Sequence, residues 1–195
     1  SGQTNTTYQG SGGVDMGTLF GRLLFATKFQ DTNILLSDLV NSESQIMWDR
    51  DPLTRVGKVA PWLTLDQDPY PVVVDGRIKW IVDGYTLSND FPYSTRVSLA
   101  EATADSISGA NFAAGLIARD RVNYMRNSVK AVVDAFEGTV SLYAWDEADP
   151  VLKTWRKAFP DVVEPRADMP DDIIEHVRYP QDLFKVQRTV TTRYH

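Results

Sequence analysis

The stretch Pro71-Val72-Val73-Val74-Asp75-Gly76-Arg77-Ile78-Lys79-Trp80-Ile81-Val82 decides the fold class. Two runs rich in β-branched and aromatic residues flank an Asp-Gly pair. The tight turn of a two-residue hairpin needs positive φ at its centre, and Asp-Gly meets that need. The stretch therefore predicts a β-hairpin. A second run repeats the plan over residues 129–145. Val129, Ala131, Val133 and Ala135 alternate to one side, Glu137-Gly138 turns, and Val140, Leu142 and Ala144 carry the same face back. Two hairpins with matching apolar faces predict one small antiparallel sheet with helices packed on its apolar side, an α+β fold.

Helical periodicity fills the rest. Within residues 14–29, Leu19, Phe20, Leu23, Leu24 and Phe25 recur at three- and four-residue steps, the pattern of an amphipathic helix. Ile34-Leu35-Leu36, leading toward Ile46, Met47 and Trp48, predicts another short helix. Asp51-Pro52 is a helix start, with Asp as N-cap and Pro in the first helical position, and Pro61 closes that helix. Asp149-Pro150 opens another through Leu152, Trp155 and Phe159, ended by Pro160. Residues 161–168 read as a proline-bounded loop. Pro170 then opens a helix with Asp171 and Asp172 in its first turn, where the macrodipole favours acids. Tyr179-Pro180 separates it from a last helix through Leu183, Phe184 and Val186. Residues 1–13 read as a flexible, glycine-rich lead-in, and residues 94–120, rich in Ala, Ser and Gly, as a loop or weak helix.

At 195 residues the chain fits a single soluble domain. Its 43% hydrophobic and 24% charged content place it with globular rather than disordered chains. A net charge of −6, with Lys and Arg scattered, is wrong for a nucleic-acid partner and is repelled by an anionic membrane surface. The absence of cysteine excludes disulfides, thiol nucleophiles and thiolate metal sites. No apolar stretch approaches the roughly 18 residues that cross a bilayer. The chain starts at Ser1-Gly2 without Met and stops after Tyr194-His195 without a helix-stop signal, which predicts a fragment cut from a longer chain.

Several stretches carry a resemblance. They are Gly12-Gly13-Val14; the run from Arg55-Val56-Gly57-Lys58 to Trp62-Leu63; residues 68–86; Phe91-Pro92-Tyr93-Ser94; residues 123–130; and Arg178-Tyr179-Pro180-Gln181-Asp182 with its continuation to Gln187. Together they resemble uncharacterised protein family 0182, large multi-pass membrane proteins common in actinobacteria, with transmembrane helices at the N-terminus and a long soluble region. The resemblance covers nearly the whole chain and is weakest after Ser94. It implies a location, a soluble domain tethered to the cell membrane on its outer side, with the rest of the membrane-anchored chain as a partner. It implies no chemistry and no catalytic residues.

The candidate chemistry is carried by acids and aromatics. Asp66 and Asp68, two residues apart, have the spacing to hold Ca or Mg through oxygen ligands, and equally that of a turn before Pro69. Asp75 and Asp83 flank the first hairpin near Trp80 and Tyr85, an arrangement open to glycoside chemistry if the carboxyls converge. Asp75 is also explained by the turn, and Asp83-Gly84 by a bulge or second turn. Asp146-Glu147-Ala148-Asp149 lacks the glycine and bidentate Glu of a calcium loop. His176 and His195 are the only histidines, and no nucleophile-elbow motif accompanies them. Gly10-Ser11-Gly12-Gly13 before a helix has the composition of a phosphate cradle but no preceding strand. Trp80, Tyr85 and Asp83 would form a ligand-binding face for a carbohydrate or protein if exposed. No complete catalytic set is present in this reading. The expectation is a non-enzymatic extracytoplasmic module that binds a partner or envelope ligand and needs no cofactor. The alternative is a carboxylate-based envelope hydrolase or transferase, with or without a divalent metal.

Overall fold

The computed structural model describes residues 8–36, 43–104 and 121–193. Contacts divide the chain into two compact units, residues 1–50 with 136–138 and residues 51–135 with 139–195.

In the first unit, strand β1 (Val14–Asp15) pairs antiparallel with β2 (Gln45–Ile46), and helices α1 (Leu19–Phe29) and α2 (Asn33–Leu36) lie between them in sequence. Thr18 caps α1, its hydroxyl accepting the Gly21 amide at 3.1 Å. The helix thus begins at Leu19, five residues later than Val14, and Ile46 belongs to a strand rather than a helix because its backbone finds a partner in Val14. Tyr8 donates its hydroxyl to the Phe136 carbonyl at 2.9 Å. The lead-in predicted as flexible falls partly outside the described residues, at 1–7.

In the second unit, helix α3 (Pro52–Val59) starts as its sequence dictates: Asp51 accepts the Thr54 amide at 2.7 Å and Pro52 needs no amide partner. Strand β3 (Thr64–Leu65) is followed by β4 (Tyr70–Val74) and β5 (Arg77–Ser88). They form the first hairpin around Asp75 and Gly76, whose φ values are 51° and 71°, the left-handed pair of a type I′ turn. After β6 (Val97–Ser98), a single turn α4 (Leu99–Ala102) and β7 (Arg121–Val122), which pairs with β6, come β8 (Tyr124–Asp134) and β9 (Val140–Ala144), the second hairpin. The remainder of the predicted loop or weak helix, residues 105–120, lies outside the described residues. Helices α5 (Pro150–Ala158), α6 (Asp171–Ile174) and α7 (Gln181–Thr192) complete the unit. Among the described residues no helix is long and apolar enough to cross a membrane.

The two hairpins join through β5 and β8, giving one antiparallel sheet in the order β3-β5-β8-β9, with β4 also paired to β5. The fold is α+β. Both faces are covered, where the sequence reading placed helices on one. Val82, Val129, Ala131, Val133, Leu142 and Ala144 point to the face closed by Val56 and Ala60 at α3 and by Leu152 of α5. Trp62, beyond α3, stacks on Trp155 of α5 with ring centres 5.1 Å apart. Ile81, Val132 and Tyr143 point the other way, with Val72 and Val74, to Met169 and to Ile173 of α6. Burial on both faces is why the centres of β5 and β8 read as continuous apolar runs. It also makes each polar residue inside them informative.

Candidate functional site

The site grows from Asp66, just beyond β3. Its amide donates to the Asp83 carbonyl at 2.8 Å, extending the ladder by one residue, and its side chain turns inward to 1% exposure. Oδ2 accepts the Tyr85 hydroxyl and the Asp182 amide, the latter at 2.9 Å, while Oδ1 accepts the Asp68 amide at 2.9 Å. Asp182 reciprocates, its Oδ2 accepting the Gln67 amide at 3.1 Å. The Leu183 amide donates to the Tyr85 hydroxyl oxygen at 3.2 Å. A helix leaves its first amides without partners. The residue before α7 is Pro180, which makes no side-chain cap. Asp66 and Tyr85 supply that cap from the sheet, and the carboxylate also meets the positive end of the helix dipole. Burial, with the Asp66 carboxylate beside it, pushes the Tyr85 hydroxyl far above its ordinary range.

Asp83 and Lys130 stand opposite each other in the β5–β8 register, on the same face as Tyr85. Asp83 is 3% exposed and Lys130 fully buried. The ammonium donates to Asp83 Oδ1 and to the Arg178 carbonyl at 3.3 Å, and lies 5.3 Å from the centre of a Trp145 ring. Burial pushes the Asp83 carboxyl up and the Lys130 ammonium down, and each charge opposes the shift of the other. Tyr70 accepts the Arg178 amide at 3.0 Å and is pushed up to about 12, chiefly by burial.

The opposite face holds a second buried carboxylate. The β5–β8 register slips after Gly84, which faces Val129, while Tyr85 faces Asn127, so Ser128 is the extra residue of a bulge. The bulge turns Ser128 toward Asp149, the N-cap of α5. Asp149 accepts hydroxyls from Ser128 and Thr86 at 2.6 Å each and from Tyr124 at 2.5 Å, and the amides of Val151 and Leu152 at 3.0 and 3.1 Å. Burial alone would raise its pKa, but the Ser128, Thr86 and Tyr124 hydroxyls and the Val151 amide outweigh it and hold the carboxyl low.

The predicted residues fall as follows. Asp66 and Asp68 do not converge: Asp66 is buried with both oxygens engaged, and Asp68 is exposed. Asp75 sits exposed at the hairpin turn, away from Asp83 in the middle of β5. The pair the fold brings together is Asp66 with Asp83. Trp80 packs against the core on the α3 side, whereas Tyr85 is 1% exposed on the other face, so the two do not form one platform. Asp146 pairs with Arg126 at 2.9 Å, and His176, in the turn that follows α6 rather than on a helix, has Nδ1 2.7 Å from the Asp172 carbonyl. His195 is outside the described residues. The Gly10–Gly13 loop holds a carboxylate of its own chain, with the Ser11 amide and hydroxyl both donating to Glu137 at 2.8 Å. Among the described residues no group of three or more His, Asp or Glu is placed to hold a metal ion. Sequence reasoning passed over Lys130, Ser128, Asp149 as a network centre, and Asp182. For Asp83 and Lys130 the available signal was a charge in the middle of an otherwise apolar strand.

Beside this cluster a cleft of about 610 Å³ opens, with Arg126, Lys130, Trp145 and Arg178 among its lining. A groove of about 350 Å³ lies between α7 and the β7–β8 region and shares Met125, Leu183 and Gln187 with the lining of the cleft. In the first unit, α1 leaves its apolar stripe in solvent: Leu19 is 76% exposed, Phe20 71%, Leu23 51% and Leu24 55%, and only Ala26 of this helix is buried.

No solved structure matches the chain. A UPF0182 protein of Frankia casuarinae is 56% identical over 193 residues, covering 99% of this chain. One from Corynebacterium glutamicum is 57% identical over 189 residues, 97% of the chain, and one from Kineococcus radiotolerans is 55% identical over 195 residues, 100% of the chain. The chain spans 19% of the length of each of these relatives. The match to the family itself runs from residue 1 to residue 195, and the chain belongs to the Uncharacterised protein family (UPF0182).

Proposed function

We propose that this chain is a non-enzymatic docking module in the soluble region of a membrane-anchored protein, on the outer side of the membrane, and that its α1 stripe docks against another part of the same parent chain. The observation that carries the reading is the exposed run Leu19, Phe20, Leu23 and Leu24 on one helix. Contiguous apolar surface of this kind marks a contact rather than a solvent face. Because the chain spans 19% of its relatives, most of a parent of that length lies elsewhere and is held at high local concentration by the tether. The carboxylates argue in the same direction: those of Asp66 and Asp149 accept internal donors at both oxygens, and Asp83 is ion-paired, which leaves them structural work.

A photoreactive residue at Phe20 in the full-length parent tests the docking. A crosslink to a peptide of the parent outside these 195 residues is expected; crosslinks confined to lipid or to other proteins would contradict it. For sidedness, a single cysteine at Asp75, compared with the unsubstituted parent, should react with a membrane-impermeant maleimide on intact cells. Failure to label would contradict the outer placement.

A second reading, a carboxylate-based hydrolase or transferase, is favoured by the adjacency of Asp66 to Asp83 and by the upward shift of Asp83. It requires these groups to be spared by the fold. An Asp66→Asn chain as stable as the original would favour it, and a clear loss of stability would favour docking.

A further inference from the structure

We propose that the cleft beside Lys130 and the groove along α7 form one site for a single-chain anionic amphiphile, its acidic head at Arg178 and its apolar tail between α7 and the β7–β8 region. The two spaces are continuous in their walls: Met125, Leu183 and Gln187 line both.

The head end is chosen by charge. Arg126, Lys130 and Arg178 line the cleft. Arg126 is paired with Asp146 and Lys130 with Asp83, whereas exposed Arg178 makes no ion pair among the described residues and instead lies over the Tyr70 ring, 4.8 Å from its centre. Among the basic residues that line the cleft, Arg178 alone has no acidic partner, in a chain of net charge −6. A local positive site with partly apolar walls concentrates field and attracts an anion.

The tail end is chosen by surface. Leu183, Val186 and Val190 follow the i, i+3, i+7 spacing that forms a stripe on one face of α7, and that stripe meets Val97 of β6 and Val122 of β7 across the groove. A ligand with an acidic head and one apolar chain matches both halves. A purely ionic or purely apolar ligand matches one. Either a free fatty acid or an acidic membrane lipid has this chemistry.

The test is calorimetric titration of the chain with decanoate and decyl phosphate below their micelle concentrations. Acetate and inorganic phosphate serve as heads alone and decanol as a tail alone. The two amphiphiles should bind at least about tenfold more tightly than any control, and Arg178→Ala should weaken them by about tenfold or more. Gln187→Glu, which adds an anion where the two spaces meet, should weaken them too. Lys153→Ala, an exposed change on α5 at the opposite face of the sheet, should not. Each variant should melt within about 2 °C of the unsubstituted chain, since the replaced side chains are exposed. Sedimentation with phosphatidylcholine vesicles carrying phosphatidic acid, abolished by Arg178→Ala, would identify a membrane lipid as the source. Binding of the free amphiphiles without sedimentation would identify a free one. Equal binding of decanol, equal binding of inorganic phosphate, no binding at all, or binding that ignores Arg178 would each overturn the proposal.

Discussion

The amide of Asp182 donates to the carboxylate of Asp66 across 116 residues of chain, and the amide of Gln67, next to Asp66, donates back to the carboxylate of Asp182. Each acid caps the backbone beside the other. The exchange fastens the start of α7, which has no local cap, to the end of β3, and it positions the helix that lines the cleft. Replacing Asp66 with Ala would leave the Tyr85 hydroxyl and the Asp182 and Asp68 amides without an acceptor. The expected cost is about 2–4 kcal/mol, from an unsatisfied buried group with lost charge-assisted bonds. Urea unfolding measures it. In a double-mutant cycle with Asp182→Ala, the two changes should cost less together than the sum of each alone, with a coupling of about 1–3 kcal/mol.

The Asp83–Lys130 pair lies in the middle of the sheet, almost without solvent. Removing one partner strands the other charge. Lys130→Met alone should cost about 3–5 kcal/mol, whereas Asp83→Leu with Lys130→Met should recover most of that loss, because two apolar groups there cost little desolvation. A double variant no more stable than the single one, by thermal or urea unfolding, would show that the pair specifies the packing as well as neutralising itself.

Asp149 gives the fold an acid dependence of definite sign. Its folded carboxyl is held below its ordinary range, although burial alone would raise it, because the Ser128, Thr86 and Tyr124 hydroxyls and the Val151 amide favour the ionised form. Between the folded and unfolded values the unfolded chain binds more protons, so this contribution is present above the ordinary carboxylate range and is lost as pH falls through the folded value. The stability difference between the original chain and Asp149→Asn should thus be largest near neutrality and shrink in acid. A pH series of urea midpoints tests this, and a difference that grows as pH falls would contradict it.

Gly84 sits at the register slip with little room above it. A Cβ there would meet Leu63 Cδ1 at 3.0 Å and Val129 Cβ at 3.3 Å. Gly84→Ala should destabilise by about 1–3 kcal/mol as these neighbours shift. Gly57→Ala, where nothing lies within 4 Å, should be neutral or slightly stabilising in its helix. Thermal midpoints of the two variants provide the comparison.

What the sequence makes legible is what is local. Asp75-Gly76 announces its turn because the positive φ is demanded within two residues, and Asp51 and Asp149 announce α3 and α5 because a cap and its amides are three residues apart at most. The alternation of Val129, Ala131 and Val133 against Leu142 and Ala144 finds the sheet's core face for the same reason. The cap of α7 is invisible by comparison: Pro180 declares a helix start, but nothing near it declares that Asp66 completes it. The pairing of Asp66 with Asp83 rather than with Asp68 follows from β3 lying beside β5, a tertiary fact. Trp80 and Tyr85 are five residues apart, and odd spacing in a strand sends them to opposite faces, so strand alternation already argued against a common platform. For α1 the periodicity identifies the helix and its stripe, yet a stripe says nothing of what covers it.

Coverage of the α1 stripe is the feature on which docking depends. The direct measurement is amide hydrogen exchange across Leu19–Phe29, made on the 195-residue chain and on the full-length parent under the same conditions. Docking of the α1 stripe against the rest of the parent predicts clearly slower exchange of these amides in the full-length protein. Equal exchange in both would mean that the stripe stays in solvent in the parent as well, and would contradict the account.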